Sequence, residues 1–80
     1  MGNKLYVGNL SYSVRDDDLQ QQFSAFGHVQ SAKVMMERDT GRSKGFAFVE
    51  MPNENEANAA ISSLNLSDVA KSKIRVKAAE

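Results

Sequence analysis

Phe46 and Phe48, preceded by Lys44, are the side chains whose type and spacing point most directly to chemistry in this chain. In Lys44-Gly45-Phe46-Ala47-Phe48-Val49-Glu50-Met51, the two-residue period of a strand turns Phe46, Phe48 and Glu50 to one face and Ala47, Val49 and Met51 to the other. The second set is continuously apolar and suited to packing under helices. The two rings therefore stay on the face that also carries a glutamate. An exposed aromatic pair beside a lysine is suited to stacking on unpaired bases. The competing reading buries both rings in a sheet covered on its two sides, and the remaining elements argue against it.

Those elements follow from punctuation and periodicity. Leu5-Tyr6-Val7 is β-prone and ends at Gly8-Asn9, which predicts a short strand with Leu5 and Val7 inward and Tyr6 outward. From Asp16 to Phe26 the apolar residues Leu19, Phe23 and Phe26 recur at helical spacing, and Gly27 stops the helix. Val14 and Leu19 have the spacing of a hydrophobic staple with Arg15 at the cap, a position better filled by Ser, Thr, Asp or Asn. Val29 to Met36 predicts a second strand, with Ala32 and Val34 alternating against Lys33 and Met35. A polar connection, Glu37 to Ser43, leads to the aromatic strand. After Pro52, Asn53-Glu54-Asn55-Glu56 reads as a capping box opening a helix whose narrow face is Ala57, Ala60, Ile61 and Leu64. Lys73 to Lys77 closes the pattern as a strand with Ile74 and Val76 on one face and three cations on the other.

Strand, helix, strand, strand, helix, strand predicts an α+β fold of the ferredoxin-like split β-α-β type (βαββαβ), a four-stranded antiparallel sheet with two helices on one face. The first and third strands then lie side by side at the centre. No further helix remains to cover the second face. Tyr6, Phe46 and Phe48 form a contiguous patch there, edged by Lys4, Lys33, Arg75 and Lys77.

Composition agrees with one small folded domain over residues 1–80: 41% hydrophobic and 25% charged residues argue against wholesale disorder. Cysteine is absent, which removes disulfides and thiolate metal sites. No apolar run approaches the roughly 20 residues of a membrane span, so a soluble, cytoplasmic monomer is expected, or a nuclear one if the source is eukaryotic. The formal net charge is zero, but the charges separate by element. Asp16, Asp17, Asp18, Glu54 and Glu56 open the helices, where the macrodipole favours them, whereas the strands and the loop before Lys44 are mostly basic. An enzyme is disfavoured. His28, the only histidine, follows Gly27 in a turn with no suitable nucleophile nearby in sequence, and the carboxylates of Asp16-Asp17-Asp18 fan around a helix without converging. No metal, cofactor or small-molecule substrate is expected.

The octamer Lys44 to Met51 matches the pattern K/R-G-F/Y-G/A-F-V-x-F/Y at all but its last place, and Leu5-Tyr6-Val7-Gly8-Asn9-Leu10 looks like the companion hexamer. By these two motifs, in this order, the chain resembles the RNA recognition motif family over nearly its full length. The resemblance implies binding of single-stranded RNA, with single-stranded DNA also tolerated by stacking. It implies that Tyr6 and Phe48 each stack a base, Phe46 packs on ribose, Lys44 meets a phosphate, and Arg75, Lys77 and Ala78 read base edges. With Lys4, Asn9, Lys33 and Arg42, these residues make up the expected RNA-binding set. Post-transcriptional regulation or RNA chaperoning is the role implied, and a protein-interaction module is the alternative. Three places depart from the pattern: Met51 replaces an aromatic but faces the core, Leu66 stands where glycine is frequent, and Lys71-Ser72 stands where Gly-Arg is common. The last two bear on the loop before the final strand.

Overall fold

The computed structural model describes residues 3–79, so the outer limits of the expected 1–80 domain lie outside the described residues. Strands β1 (Asn3–Gly8), β2 (Ser31–Met36), β3 (Ser43–Met51) and β6 (Arg75–Ala78) form one sheet in the order β2-β3-β1-β6, antiparallel at every pairing. Helices α1 (Asp16–Ser24) and α2 (Glu54–Leu64) cross between them, and a two-stranded hairpin, β4 (Asp68–Val69) with β5 (Ser72–Lys73), precedes β6. The expected split β-α-β arrangement, with the first and third strands central, is the one observed.

Strand alternation and helical periodicity meet in a single core. Leu5, Val7, Ala47, Val49, Met51 and Val76 point from the sheet toward Leu19 and Phe23 of α1 and Ala57, Ala60 and Leu64 of α2, and all are buried. Alanines at two of the three buried α2 positions let that helix lie close to the strands. Met51 is fully buried, so its departure from the aromatic pattern concerns packing and leaves the open face untouched.

Element ends differ from expectation for identifiable reasons. Helix α1 stops at Ser24, because the amides of Phe26 and Gly27 bond to the carbonyls of Phe23 and Ser24 and so tighten the last turn. Strand β2 starts at Ser31, although Val29 is buried and the Gln30 amide already donates to the Glu50 carbonyl at 2.8 Å. The expected strand Lys73 to Lys77 is divided at Ile74: Lys73 pairs with Asp68, whereas Arg75 pairs with Gly8. Ile74 is fully buried and its backbone is committed to the loop, donating to the Ser67 carbonyl and accepting from the Leu66 amide. Only half of the expected box at α2 forms. Asn53 Oδ1 accepts from the Glu56 amide at 3.0 Å, but the Glu56 carboxylate turns away to accept from the His28 amide, also at 3.0 Å.

The outer strands have their exposed backbone edges met by side chains from the helix ends. Asp16 Oδ1 accepts from the Val34 amide on β2 at 2.7 Å, and Asn65 Oδ1 accepts from the Val76 amide on β6 at 3.0 Å. Each bond satisfies a mid-strand donor that would otherwise invite pairing with another chain. Asp16 therefore serves the sheet as well as the helix dipole.

At the start of α1, Arg15 is the N-cap in extended conformation, and its amide donates to Asp18 Oδ2 at 2.9 Å. Its guanidinium has donors only, so it returns no bond to the helix amides. Val14 and Leu19 are both buried on either side of it, as the staple spacing requires. Replacement Arg15→Thr supplies the missing acceptor and is expected to raise stability by about 0.5–1 kcal/mol. Paired urea unfolding curves check this; a loss would mean that the arginine stem contributes more by packing than a hydroxyl does by capping.

Candidate nucleic-acid interface

On the face opposite the helices, the strand register places Lys33, Phe48, Tyr6 and Lys77 in one row across β2, β3, β1 and β6. The neighbouring row holds Ser31, Glu50 and Lys4. Phe46 lies on the same face of β3 as Phe48. The three rings form a nearly equilateral triangle, with centroids 5.9 Å apart for Tyr6 and Phe46 and 6.0 Å for the other two pairs. Tyr6 and Phe46 are close to parallel at 27°, whereas Phe48 meets them edge-on at 65° and 85°. All three are half-buried, each braced by its neighbours with part of its surface open.

Cations already occupy two of the rings. Lys4 Nζ lies 4.7 Å from the Phe48 centroid and Lys77 Nζ lies 5.3 Å from that of Tyr6. A cation–π contact at an exposed site is worth about 0.5–1 kcal/mol, against about 1–3 kcal/mol for a base stacked on the same ring. Stacking wins that competition. The displaced ammonium groups also remain beside the incoming strand, where its phosphates need neutralising.

Two glycines make this surface possible. Val34 pairs with Ala47 but Met36 pairs with Ser43, so Lys44, Gly45 and Phe46 together face Met35. This bulge is centred on Gly45 at φ 85°, a conformation that side chains rarely adopt. The Gly45 amide donates to Ser43 Oγ at 3.1 Å and its carbonyl accepts from the Leu10 amide at 2.8 Å, so the irregular segment is held from both sides. Gly8 acts through space. A Cβ added there would lie 2.7 Å from the Tyr6 hydroxyl and 2.8 Å from its Cε2. The tyrosine ring lies along β1 over the bare glycine, and that tilt carries it to Phe46.

The remaining candidates divide by position. Arg75 and Lys77 are exposed on the ring face of β6, opposite Gly8 and Tyr6, whereas Ala78, also exposed, pairs with Leu5 and lines a groove with Ala57 and Ile61 of α2, so its methyl group lies on the helix side. Lys44 is exposed at the bulge beside Phe46. Asn9 has φ 57° and its Nδ2 donates to the Lys73 carbonyl at 2.7 Å, so this amide braces the small hairpin. Arg42 stands apart, lining a groove of about 390 Å³ with Tyr12, Arg15 and Glu37. Two residues outside the sequence-based set adjoin the platform: Asn65 and Leu66 share a groove with Tyr6, Arg75 and Lys77. The non-glycine at position 66 was the available signal, although its placement beside Tyr6 depends on the turn after α2.

An uncovered antiparallel sheet with three clustered rings and a cationic edge defines an α+β domain of the single-stranded nucleic-acid-binding class. The chain belongs to the RNA recognition motif family, whose model matches residues 5–75. It is 51% identical over 78 residues to the 29 kDa chloroplastic ribonucleoprotein B of Nicotiana sylvestris, covering 98% of this chain and 27% of that protein. The chain thus spans about a quarter of that relative's length. Among solved structures, it matches the RNA-binding protein PG1 with a TM-score of 0.93 and 47% identity, covering 96% of this chain and 93% of that one. It also matches the protein of an Sxl-lethal protein/RNA complex with a TM-score of 0.89 and 33% identity, over 95% of this chain and 47% of that one.

Because a methyl group at position 8 would collide with side-chain atoms of Tyr6 and not with backbone, Gly8→Ala is expected to move the ring while leaving the fold in place. Affinity for a short single-stranded RNA should fall roughly five- to tenfold, the lower part of the range for one stacked base. Fluorescence anisotropy beside a thermal melt checks it. Unchanged affinity in a folded variant would show that the tilt of Tyr6 is immaterial to binding.

Proposed function

We propose that residues 1–80 act as one domain that binds single-stranded RNA on the open sheet face, without catalysis. The observation that carries this reading is the aromatic triangle flanked by lysines in register. Tyr6 and Phe48 each stack a base, and Phe46 packs against ribose between them. Lys4, Lys33 and Lys44 neutralise phosphates. Arg75 and Lys77 meet base edges at the β6 side through their side chains and Ala78 through its main chain, Asn9 supports the surface from the loop below it, and Arg42 reaches RNA that extends past the bulge. Single-stranded DNA stacks on the same rings, and a contact to the 2′-hydroxyl is what separates the two. In the cell this activity serves post-transcriptional regulation or RNA chaperoning. The cytoplasm is the compartment we assign, and imaging of the tagged protein tests it against an organelle, the location in the name of the Nicotiana relative.

Magnitudes set the expected strength. Two stacks supply about 2–6 kcal/mol, whereas a micromolar complex needs about 8 kcal/mol. Phosphate contacts and base-edge hydrogen bonds must provide the rest. Binding to an arbitrary short RNA is therefore micromolar or weaker. With about three phosphates neutralised, log affinity against log salt has a slope near −2.

The deciding experiment is an amide-shift titration with short random-sequence RNA at low salt, repeated at several salt concentrations and with folded Phe48→Ala. Shifts at Tyr6, Lys44 to Phe48 and Arg75 to Ala78, lost in the variant, are expected. No response on the sheet, or a salt slope near zero, contradicts the proposal and favours a protein-binding role for this face.

A further inference from the structure

Glu50 is the one charge on the open face that works against a polyanion. The strands of the four-stranded sheet turn Lys4, Lys33, Arg75 and Lys77 to that face together with a single carboxylate, Glu50. The other carboxylates of the described residues lie outside this sheet, at helix starts, in the loop between β2 and β3, or on the small hairpin. A surface that neutralises phosphates gains from each cation and loses from an anion. The glutamate therefore needs a partner other than phosphate.

Its place in the fold is fixed by the backbone. Ser31 on β2 and Lys4 on β1 are its register partners, and its carbonyl accepts from the Gln30 amide at 2.8 Å, so Glu50 stands in the interior of the sheet and not at an edge. It is half-buried. Two residues on from Phe48 and on the same face, it begins about 7 Å along the strand from that ring. A glutamate of that reach meets the rim of a base lying on Phe48. The ordinary use of a glutamate opposite a lysine is a cross-strand ion pair. The Lys4 ammonium, however, is carried over the Phe48 ring, 4.7 Å from its centroid.

A carboxylate only accepts hydrogen bonds, and its two oxygens accept side by side. Guanine matches that geometry, because its N1–H and 2-amino group are adjacent donors on one edge. Adenine and cytosine offer one amino group beside a ring nitrogen that is itself an acceptor. Uracil offers one N–H between two carbonyls, which repel the carboxylate. We propose that Glu50 selects guanine on Phe48, accepting from its N1–H and 2-amino group. This rests on the sheet being an RNA platform, and it adds a base preference that stacking alone does not supply.

The test compares all-uridine RNA of eight nucleotides with RNAs carrying one central guanosine, adenosine, cytidine or inosine, by fluorescence anisotropy. Guanosine is expected to lower the Kd roughly five- to tenfold relative to uridine, with inosine, which lacks the 2-amino group, keeping only part of that gain. In Glu50→Gln, which keeps the size of the side chain but loses the second acceptor and the charge, the guanosine advantage should fall below about twofold. Its affinity for all-uridine RNA should hold or improve, since an anion has left the face. No guanosine advantage in the unaltered protein, or one that survives Glu50→Gln, overturns the proposal. A lower melting temperature in the variant with base preference unchanged assigns the glutamate to an ion pair with Lys4 and overturns it equally. If Phe48→Ala weakens all five complexes, such a failure belongs to Glu50 alone; if Phe48→Ala binds them normally, the platform itself is refuted.

Discussion

The pairing of Tyr6 with Phe48 across the two central strands is the constraint on which the rest depends. Side chains alternate with a period of two, so this register sends Leu5, Val7, Ala47 and Val49 to the helices and the rings to the other face. A slip of one residue would exchange the two sets, exposing the core and burying the rings. The hydrophobic drive that seals the core thus also assembles the binding surface. Two helices suffice for one face of four strands, and the aromatic face remains open.

Around that register, small polar contacts make the sheet a finite object. The outer strands would otherwise present free donors, but Asp16 and Asn65 each meet one from a helix end. Asn65 also belongs to the groove at the platform edge, so one side chain both protects the β6 edge and faces the space beside Tyr6. In the free protein, Lys4 and Lys77 rest over rings that stacking bases would claim. Ligand binding on such a face is an exchange of partners, in which an aromatic contact gives way to stacking and the freed cations turn to the bound strand. A neutral chain can do this because its acidic residues are concentrated at helix starts while cations edge the rings.

Much of the site was legible residue by residue. Phe46 and Phe48 follow from strand alternation, and Tyr6 from its place between Leu5 and Val7. Less legible were interactions joining distant segments. Glu56 has the position of a capping-box partner, yet it serves the His28 amide, 28 residues away in sequence. Asn9 looks like a ligand-facing polar residue, yet its amide reaches Lys73, 64 residues on. The bulge at Gly45 had a local signal, an isolated glycine within a strand, but its extent follows from which residues of β2 lie opposite.

By itself the sequence determined the order of elements, the core-facing side of each and the three rings on the open side, because period-two and helical alternation are local properties of the chain. Tertiary structure alone decided how the rings meet, which cations lie over them, where the last strand divides at Ile74, and that Leu66 faces a groove beside Tyr6. Those outcomes depend on strand register and on turn dihedrals at non-glycine residues such as Asn9 and Leu66. Packing sets such dihedrals against local preference, so they are settled only when the whole fold closes.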